Sequence, residues 1–331
     1  MRTTLCDLLG IEVPIVQAPM GGAGCPALAA AVSQAGGLGM LALSWHPPKA
    51  VRAAIRQTRA LTDRPFGVNL VLAFPQEERF AVCLEEGVKL ISFFWGDPAP
   101  YVARAHAAGA LVASTVASAG EARRAAAAGV DILVAQGWEA GGHVMGEVAT
   151  LPLVRAVVAA AGARPVLAAG GIADGPGLAA VLALGAAGAW IGTRFLASEE
   201  AAIHPRYREL LLAADETSTV HTSLFDGGWA DAPHRVLRNA TYDRWEAAGR
   251  PASRARPGEG DVLATSAGRP MRRYASTTPG PDAEGDIEAL SLWAGQGVGG
   301  VHGLKPAGAI VREIAQGADA VLRALAERLE T

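Results

Sequence analysis

The stretch Asp131-Ile132-Leu133-Val134-Ala135-Gln136-Gly137-Trp138-Glu139-Ala140-Gly141-Gly142-His143-Val144-Met145-Gly146 changes character in its middle. Residues 131–135 are short, β-branched and apolar on both faces, the pattern of a strand in a parallel sheet that is covered on both sides. After Ala135 the chain becomes a glycine-rich loop that carries one imidazole, His143. Gly137, Gly141 and Gly142 permit positive φ and close backbone approach to a ligand. The plain alternative is a turn with an exposed histidine, so the neighbouring sequence has to decide.

On both sides of this stretch the same unit recurs. Apolar runs at 14–18, 38–42, 66–70, 89–93, 111–115, 131–135, 165–169 and 189–192 alternate with Ala-rich helical segments. Most successive starts lie 21 to 28 residues apart, the length of one strand-loop-helix-loop unit, and the widest gap holds the His143 loop. Helix signals fall between the runs: Ser118 is placed to cap with Glu121 three residues on, and Asp174 precedes a helix over 178–184. Eight such units predict a (β/α)8 TIM barrel, with an open doubly wound sheet as the alternative arrangement. The repeat stops after Arg194. A helix is expected over 204–214, mixed strand and turn over 217–238, and a polar Pro/Gly-rich segment of unassigned role over 250–286. The predicted division is therefore a barrel over 1–200, an inserted α+β lid over 201–300 after strand eight, and a helix within 301–331 returning to the barrel.

Composition narrows the function. The chain has 331 residues, half of them hydrophobic, with 29 basic against 32 acidic side chains and no block of like charge. Neither nucleic acid nor a membrane surface is an expected partner. Three widely spaced cysteines (Cys6, Cys25, Cys83) form no disulfide or zinc pattern, and Cys25 beside Pro26 is expected to pack. No apolar segment precedes Asp7, so the expectation is a chain without a signal peptide, starting near Met1 in a reducing cytoplasm. The nineteen uncharged residues between Asp174 and Arg194 are broken by glycines and Pro176 and read as turn, helix, turn and strand. The oligomeric state is not readable.

In a barrel, residues at the C-terminal strand ends face the active site. Met20, Asn69, Trp95, Asp97, Ser114, Thr115, Gln136 and His143 fall there. The seventh run ends in Ala169-Gly170-Gly171 and the eighth in Gly192-Thr193-Arg194, where backbone amides of this fold hold phosphate and glycine leaves the approach open. A phosphorylated cofactor is expected. There is no GxGxxG, GxxxxGK, GxSxG or HExxH motif. His143 and Glu147 are four apart, but their glycine neighbours argue against a helix, and no metal is expected.

Five separated segments, Gln17-Ala18-Pro19-Met20-Gly21-Gly22, Gly67-Val68-Asn69, Ala135-Gln136-Gly137-Trp138-Glu139-Ala140-Gly141-Gly142-His143, Ala168-Ala169-Gly170-Gly171-Ile172-Ala173-Asp174-Gly175 and Gly192-Thr193-Arg194-Phe195-Leu196-Ala197, resemble the nitronate monooxygenases (2-nitropropane dioxygenases). The likeness resumes at Gly303-Leu304-Lys305-Pro306-Ala307-Gly308. It implies an FMN-dependent oxidoreductase that converts alkyl nitronates, or nitroalkanes, and O2 to a carbonyl compound with nitrite or nitrate. His143 is implied as the catalytic histidine. Ala18, Pro19, Met20, Asn69, Gln136, Gly141, Gly142, Gly170, Gly171, Gly192 and Thr193 are implied as flavin contacts. Some flavoproteins of this superfamily carry a lysine near the end of strand five, where this chain has Ala113-Ser114-Thr115. The rival readings are an NAD(P)H-dependent flavin reductase of quinones or enoyl thioesters, and a non-catalytic barrel binding a phosphate ligand.

Overall fold

In the computed structural model, which describes residues 1–329, each apolar run is a parallel strand: β1 (Ile15–Gln17), β2 (Gly39–Ala42), β3 (Phe66–Val71), β4 (Leu90–Phe94), β5 (Leu111–Val116), β6 (Ile132–Gln136), β7 (Val166–Ala169) and β8 (Gly188–Ile191). The ladder runs β1-β8-β7-β6-β5-β4-β3-β2. A parallel bridge between Val16 and Leu38 joins its two ends. There the Gln17 N–H donates to the Leu38 carbonyl and the Leu38 N–H to the Ile15 carbonyl, both at 2.9 Å. The sheet is thus a barrel and not the open doubly wound alternative.

Period two sorts the strand residues. Val16, Met40, Leu90, Ala113, Ile132, Val134, Leu167 and Trp190 fill the barrel, sealed below by Leu5, Cys6 and Leu9 of the helix Thr4–Leu9. The Thr3 hydroxyl donates to the Ala187 carbonyl at 2.6 Å, fixing that helix at the N-terminal end of β8. The alternate residues Ile15, Leu41, Val68, Ile91, Val112, Leu133 and Ile191 pack outward against the helices. Burying both faces supplies the main stabilising term, at roughly 1.5–3 kcal/mol per large aliphatic side chain.

The helix signals are realised with one change of detail. The Glu121 N–H donates to Ser118 Oγ at 3.2 Å, but the Glu121 carboxylate accepts from the Ala117 N–H at 2.6 Å, one residue before the cap. Asp174 accepts from the Gly177 N–H at 2.8 Å and starts Gly175–Ala183. The long helix Ala307–Leu329 returns against that one, close enough that a Cβ on Gly175 would stand 2.5 Å from Gly317 Cα. The uncharged stretch before Arg194 is accordingly helix and strand, and no helix among the described residues is long and apolar enough to cross a membrane.

After β8 a short helix, Thr193–Leu196, leads into a second layer. It holds the helices Pro205–Ala213 and Ala240–Ala247 and two small sheets. The first pairs β9 (Thr219–Thr222) with β10 (His234–Leu237), antiparallel. The second is a hairpin of β11 (Val262–Ser266) and β12 (Arg269–Arg272), joined by β13 (Glu284–Gly285). The polar 250–286 segment thus has regular structure that its composition does not announce. The third strand of the first sheet comes from the barrel: Gly142–His143 pairs with Arg235 and His234 of β10.

Candidate active site

The inward-facing residue at each strand end sets the floor of a cavity of about 560 Å³ at the C-terminal mouth, within the range of small-molecule sites. Its lining includes Ala18, Ala42, Asn69, Phe94, Thr115, Gln136, Ala169 and Gly192 from the strands, and Trp229, Thr277, Thr278 and Trp293 from the second layer. The twelve residues singled out from the sequence, His143 and the eleven flavin-contact positions, all line this cavity. The other strand-end candidates differ. Thr115 faces the cavity while Ser114, one residue earlier, is buried on the other face. Asp97 is spent on local structure, accepting from the Ala99 N–H at 3.0 Å.

The loop after β6 is held from several directions. The Gln136 carboxamide donates to the His143 carbonyl at 3.0 Å. Glu139 accepts from the N–H and the hydroxyl of Thr150, each at 2.8 Å. The fully buried Arg235 of β10 donates to the Trp138 carbonyl at 3.0 Å and lays its guanidinium 4.3 Å from the Trp138 ring centroid. Two of the loop glycines are also required by packing, Gly141 while lining the cavity. A Cβ on Gly137 would lie 2.0 Å from Thr150 Oγ1, and one on Gly141 2.4 Å from the Gly295 N. Only Gly142 has a positive φ, +75°.

Gly171 and Gly192 are of the other kind. A Cβ there would find nothing closer than 3.7 Å and 3.6 Å, so a side chain has room and none is present. Gly170 and Gly171 also have φ of +106° and +72°, which turn the chain directly after β7. The Thr193 hydroxyl accepts from the Gly295 N–H at 3.0 Å, tying the second layer to the end of β8.

His143 stands among rings. It stacks on Trp229 with centroids 4.2 Å apart, with Trp293 at 5.3 Å, His234 at 5.5 Å and Trp95 at 6.2 Å. Its Nε2 is buried and has no hydrogen-bond partner among the described residues. Burial, with a smaller push from His234, brings its pKa down to about 3, so the imidazole is neutral at pH 7. His234 is occupied at both nitrogens: Nδ1 lies 2.9 Å from the Ala232 carbonyl, and Nε2 accepts from the Phe225 N–H at 3.2 Å. Burial brings its pKa down to about 4.

Sequence reading missed Trp45, Trp229 and Trp293. Their one signal was a count of seven tryptophans in a chain with few aromatics, with Trp229 preceded by Gly227-Gly228 in a polar stretch. Among the described residues no group of three metal-ligating side chains comes together. The Cys25 thiol sits 3.1 Å from the Glu200 carbonyl, at the start of Pro26–Gln34.

A family model described as nitronate monooxygenase matches residues 2–80 and 72–317. The chain is 41% identical over 254 residues to (3aS,4S,5R,7aS)-5-hydroxy-7a-methyl-1-oxo-octahydro-1H-indene-4-carboxyl-CoA dehydrogenase of Mycobacterium tuberculosis, covering 76% of this chain and 70% of the relative. Among solved structures, FabK from Thermotoga maritima aligns with a TM-score of 0.82 at 35% identity, covering 99% of both chains. A nitroalkane oxidase from Streptomyces ansochromogenes aligns with a TM-score of 0.81 at 32% identity, covering 97% of this chain and 99% of the other.

Proposed function

Because the chain belongs to the nitronate monooxygenase family, whose members are flavin-dependent oxidoreductases, we propose that it oxidises alkyl nitronates, and the nitroalkanes that yield them, with O2, and that its flavin is FMN. The observation that carries this reading is His143: a neutral imidazole with an unpaired, buried Nε2 in the wall of the mouth cavity. The nitroalkane oxidase that aligns over nearly the whole chain supports the substrate class.

The residues present fit a flavin phosphate. Gly171 and Gly192 leave the backbone at the ends of β7 and β8 open to the cavity, and Gly170 and Thr193, which also line it, complete the strand ends that supply phosphate donors in this fold. Ala18, Pro19, Met20, Asn69, Gln136, Gly141 and Gly142 would line the rest of the flavin. The bound flavin supplies the electron-accepting chemistry.

The chain's own part is to manage a proton and a charge. A neutral nitroalkane must lose its α-proton before electrons leave that carbon, and in this reading His143 Nε2 takes it. The transfer turns a neutral pair into imidazolium and nitronate, so no net charge is created in the buried space. The imidazolium then holds a nitronate oxygen by a charge-assisted hydrogen bond. Overall the C–N bond breaks and the carbon gains one oxygen. Two nitronates and one O2 give two carbonyl compounds and two nitrites; one nitronate and one O2 give a carbonyl compound and nitrate.

The dehydrogenase from Mycobacterium tuberculosis favours a second reading, oxidoreduction of a thioester-linked substrate with a nicotinamide as electron partner. One aerobic experiment separates the two. O2 uptake that depends on an added nitronate, without NADH oxidation, is expected; NADH oxidation dependent on a quinone or enoyl thioester, with no nitronate-dependent uptake, would overturn the first reading.

A further inference from the structure

The order of strands around the barrel places β3 across from β7 and β4 across from β8. The mouth is therefore polarised. Over β7 and β8 its wall includes the backbone of Gly170, Gly171 and Gly192, together with Ile172 and Trp190. Over β2 to β4 it is aromatic: Trp45 follows β2, Phe94 ends β4, and Trp229 comes down from the second layer. These rings form one cluster. Trp229 lies 6.3 Å from Trp45, 6.4 Å from Phe94 and 5.4 Å from Phe74, which buttresses Trp45 from behind at 6.0 Å. Trp229 also stacks on His143, so the aromatic wall starts at the reacting centre and runs outward to Trp45.

Two observations point to a ligand on this wall. Trp45 is 51% exposed although it lines the cavity, an apolar ring left half in water at the entrance. Among the described residues, none that lines the cavity carries a carboxylate, an ammonium or a guanidinium group. The polar neighbour of Trp45, His46, has its pKa lowered by partial desolvation and then by Arg79, whose guanidinium donates to the His46 carbonyl at 2.7 Å. A charged group entering here would lose water and meet no counter-ion, whereas an apolar one would cover exposed ring.

We infer that the aromatic wall over β2 to β4 is the subsite for the substrate's carbon chain, that it selects an uncharged, bulky, apolar group, aryl or long alkyl, and that Trp45 and Trp229 set this specificity. The inference rests on the nitronate reading for the reacting end and on the wall alone for the tail.

The test uses the flavin-loaded protein and measures binding by calorimetry and kcat/KM by O2 uptake for nitroethane, 1-nitrobutane, 1-nitrohexane, 2-phenylnitroethane and 6-nitrohexanoate. Affinity should rise by up to about fourfold per added methylene, and 6-nitrohexanoate should bind at least about a hundredfold more weakly than 1-nitrohexane. In Trp45→Ala the preference for 2-phenylnitroethane over nitroethane should fall by about tenfold, with Trp45→Phe restoring most of it. Trp45→Arg should turn the discrimination toward 6-nitrohexanoate. Trp45 is half exposed, so these variants are expected to fold. A flat response to chain length, or equal binding of 1-nitrohexane and 6-nitrohexanoate, overturns the subsite even if nitronates are turned over. A steep apolar preference in binding without nitronate turnover sustains the subsite and removes the nitronate reading instead.

Discussion

On the β7–β8 side of the mouth three glycines leave backbone in the wall beside Trp190, and on the β2–β4 side the wall is a cluster of large rings. Gly170, Gly171 and Gly192 follow directly from strand ends whose hydrogen bonds fix them. Trp45, Phe94 and Trp229 meet from two barrel segments and the second layer, 45 to 229 along the chain. The first side presents N–H groups, a surface for an anion or a ring edge. The second presents π-faces and no charge. Under the proposed reading the barrel separates holding a cofactor from choosing a substrate, with His143 where the two sides join.

The largest effect is expected at that junction. His143→Asn should lose about 10² to 10⁴ in rate on neutral nitroalkanes, the usual worth of a positioned general base, while keeping much of its activity on preformed nitronates. Steady-state O2 uptake with both substrate forms reads this directly. A variant that treats the two forms as the parent does, with flavin still bound, shows that the base lies elsewhere.

Acid should loosen the aromatic side first. His143 and His234 have folded pKa values near 3 and 4, below the unfolded value of about 6.5. In that interval the unfolded chain binds more protons, so stability is full above about pH 6.5 and falls as pH drops toward 4, by up to about 1.4 kcal/mol per pH unit for each proton. Near-UV circular dichroism of the tryptophans should change at a higher pH than far-UV signal from the barrel. Coincident transitions would show that the two sides titrate as one unit.

A smaller effect separates the sides by cofactor. Gly171→Leu forces an L side chain to φ +72°, at about 1–2 kcal/mol, and fills the backbone approach. Flavin released per mole of protein on denaturation should fall by about tenfold, with tail preference in any loaded fraction kept. Full flavin content in this variant would place the phosphate elsewhere.

The smallest is expected from trimming the β11–β12 hairpin at its exposed turn, Ala267-Gly268. The residues after it approach the cavity, where Thr278 donates to the Gly21 carbonyl at 2.8 Å and accepts from the Trp293 indole at 2.9 Å. Trimming should change apparent substrate binding by about threefold or less and flavin content less still; equal loss of both would mark the hairpin as structural only.

The barrel was legible because a strand buried on both faces writes its period and its boundaries locally, and because strand ends converge wherever the barrel closes. That is why residues as far apart as Met20 and Thr193 could be grouped on one cavity without knowing any contact. The second layer was not. Nothing near His143 signals that it pairs with His234, ninety-one residues on, since a two-residue strand has no period to read. The loop glycines carry a second need: Thr150 and Gly295 press on Gly137 and Gly141, and sequence cannot separate that need from a ligand's. Trp229 sits in a stretch whose polarity suggested turn, and only its neighbours in space make it part of a wall.

The strand Gly142–His143 belongs covalently to the barrel and by hydrogen bonds to the second layer. A roof that swung open as a rigid plate would have to break that ladder or carry the imidazole away with it. The same stitch bears on inheritance. If residues 201–300 were exchanged as a cassette, the transplanted layer would arrive without its third strand and would have to accept the host's histidine as its own edge.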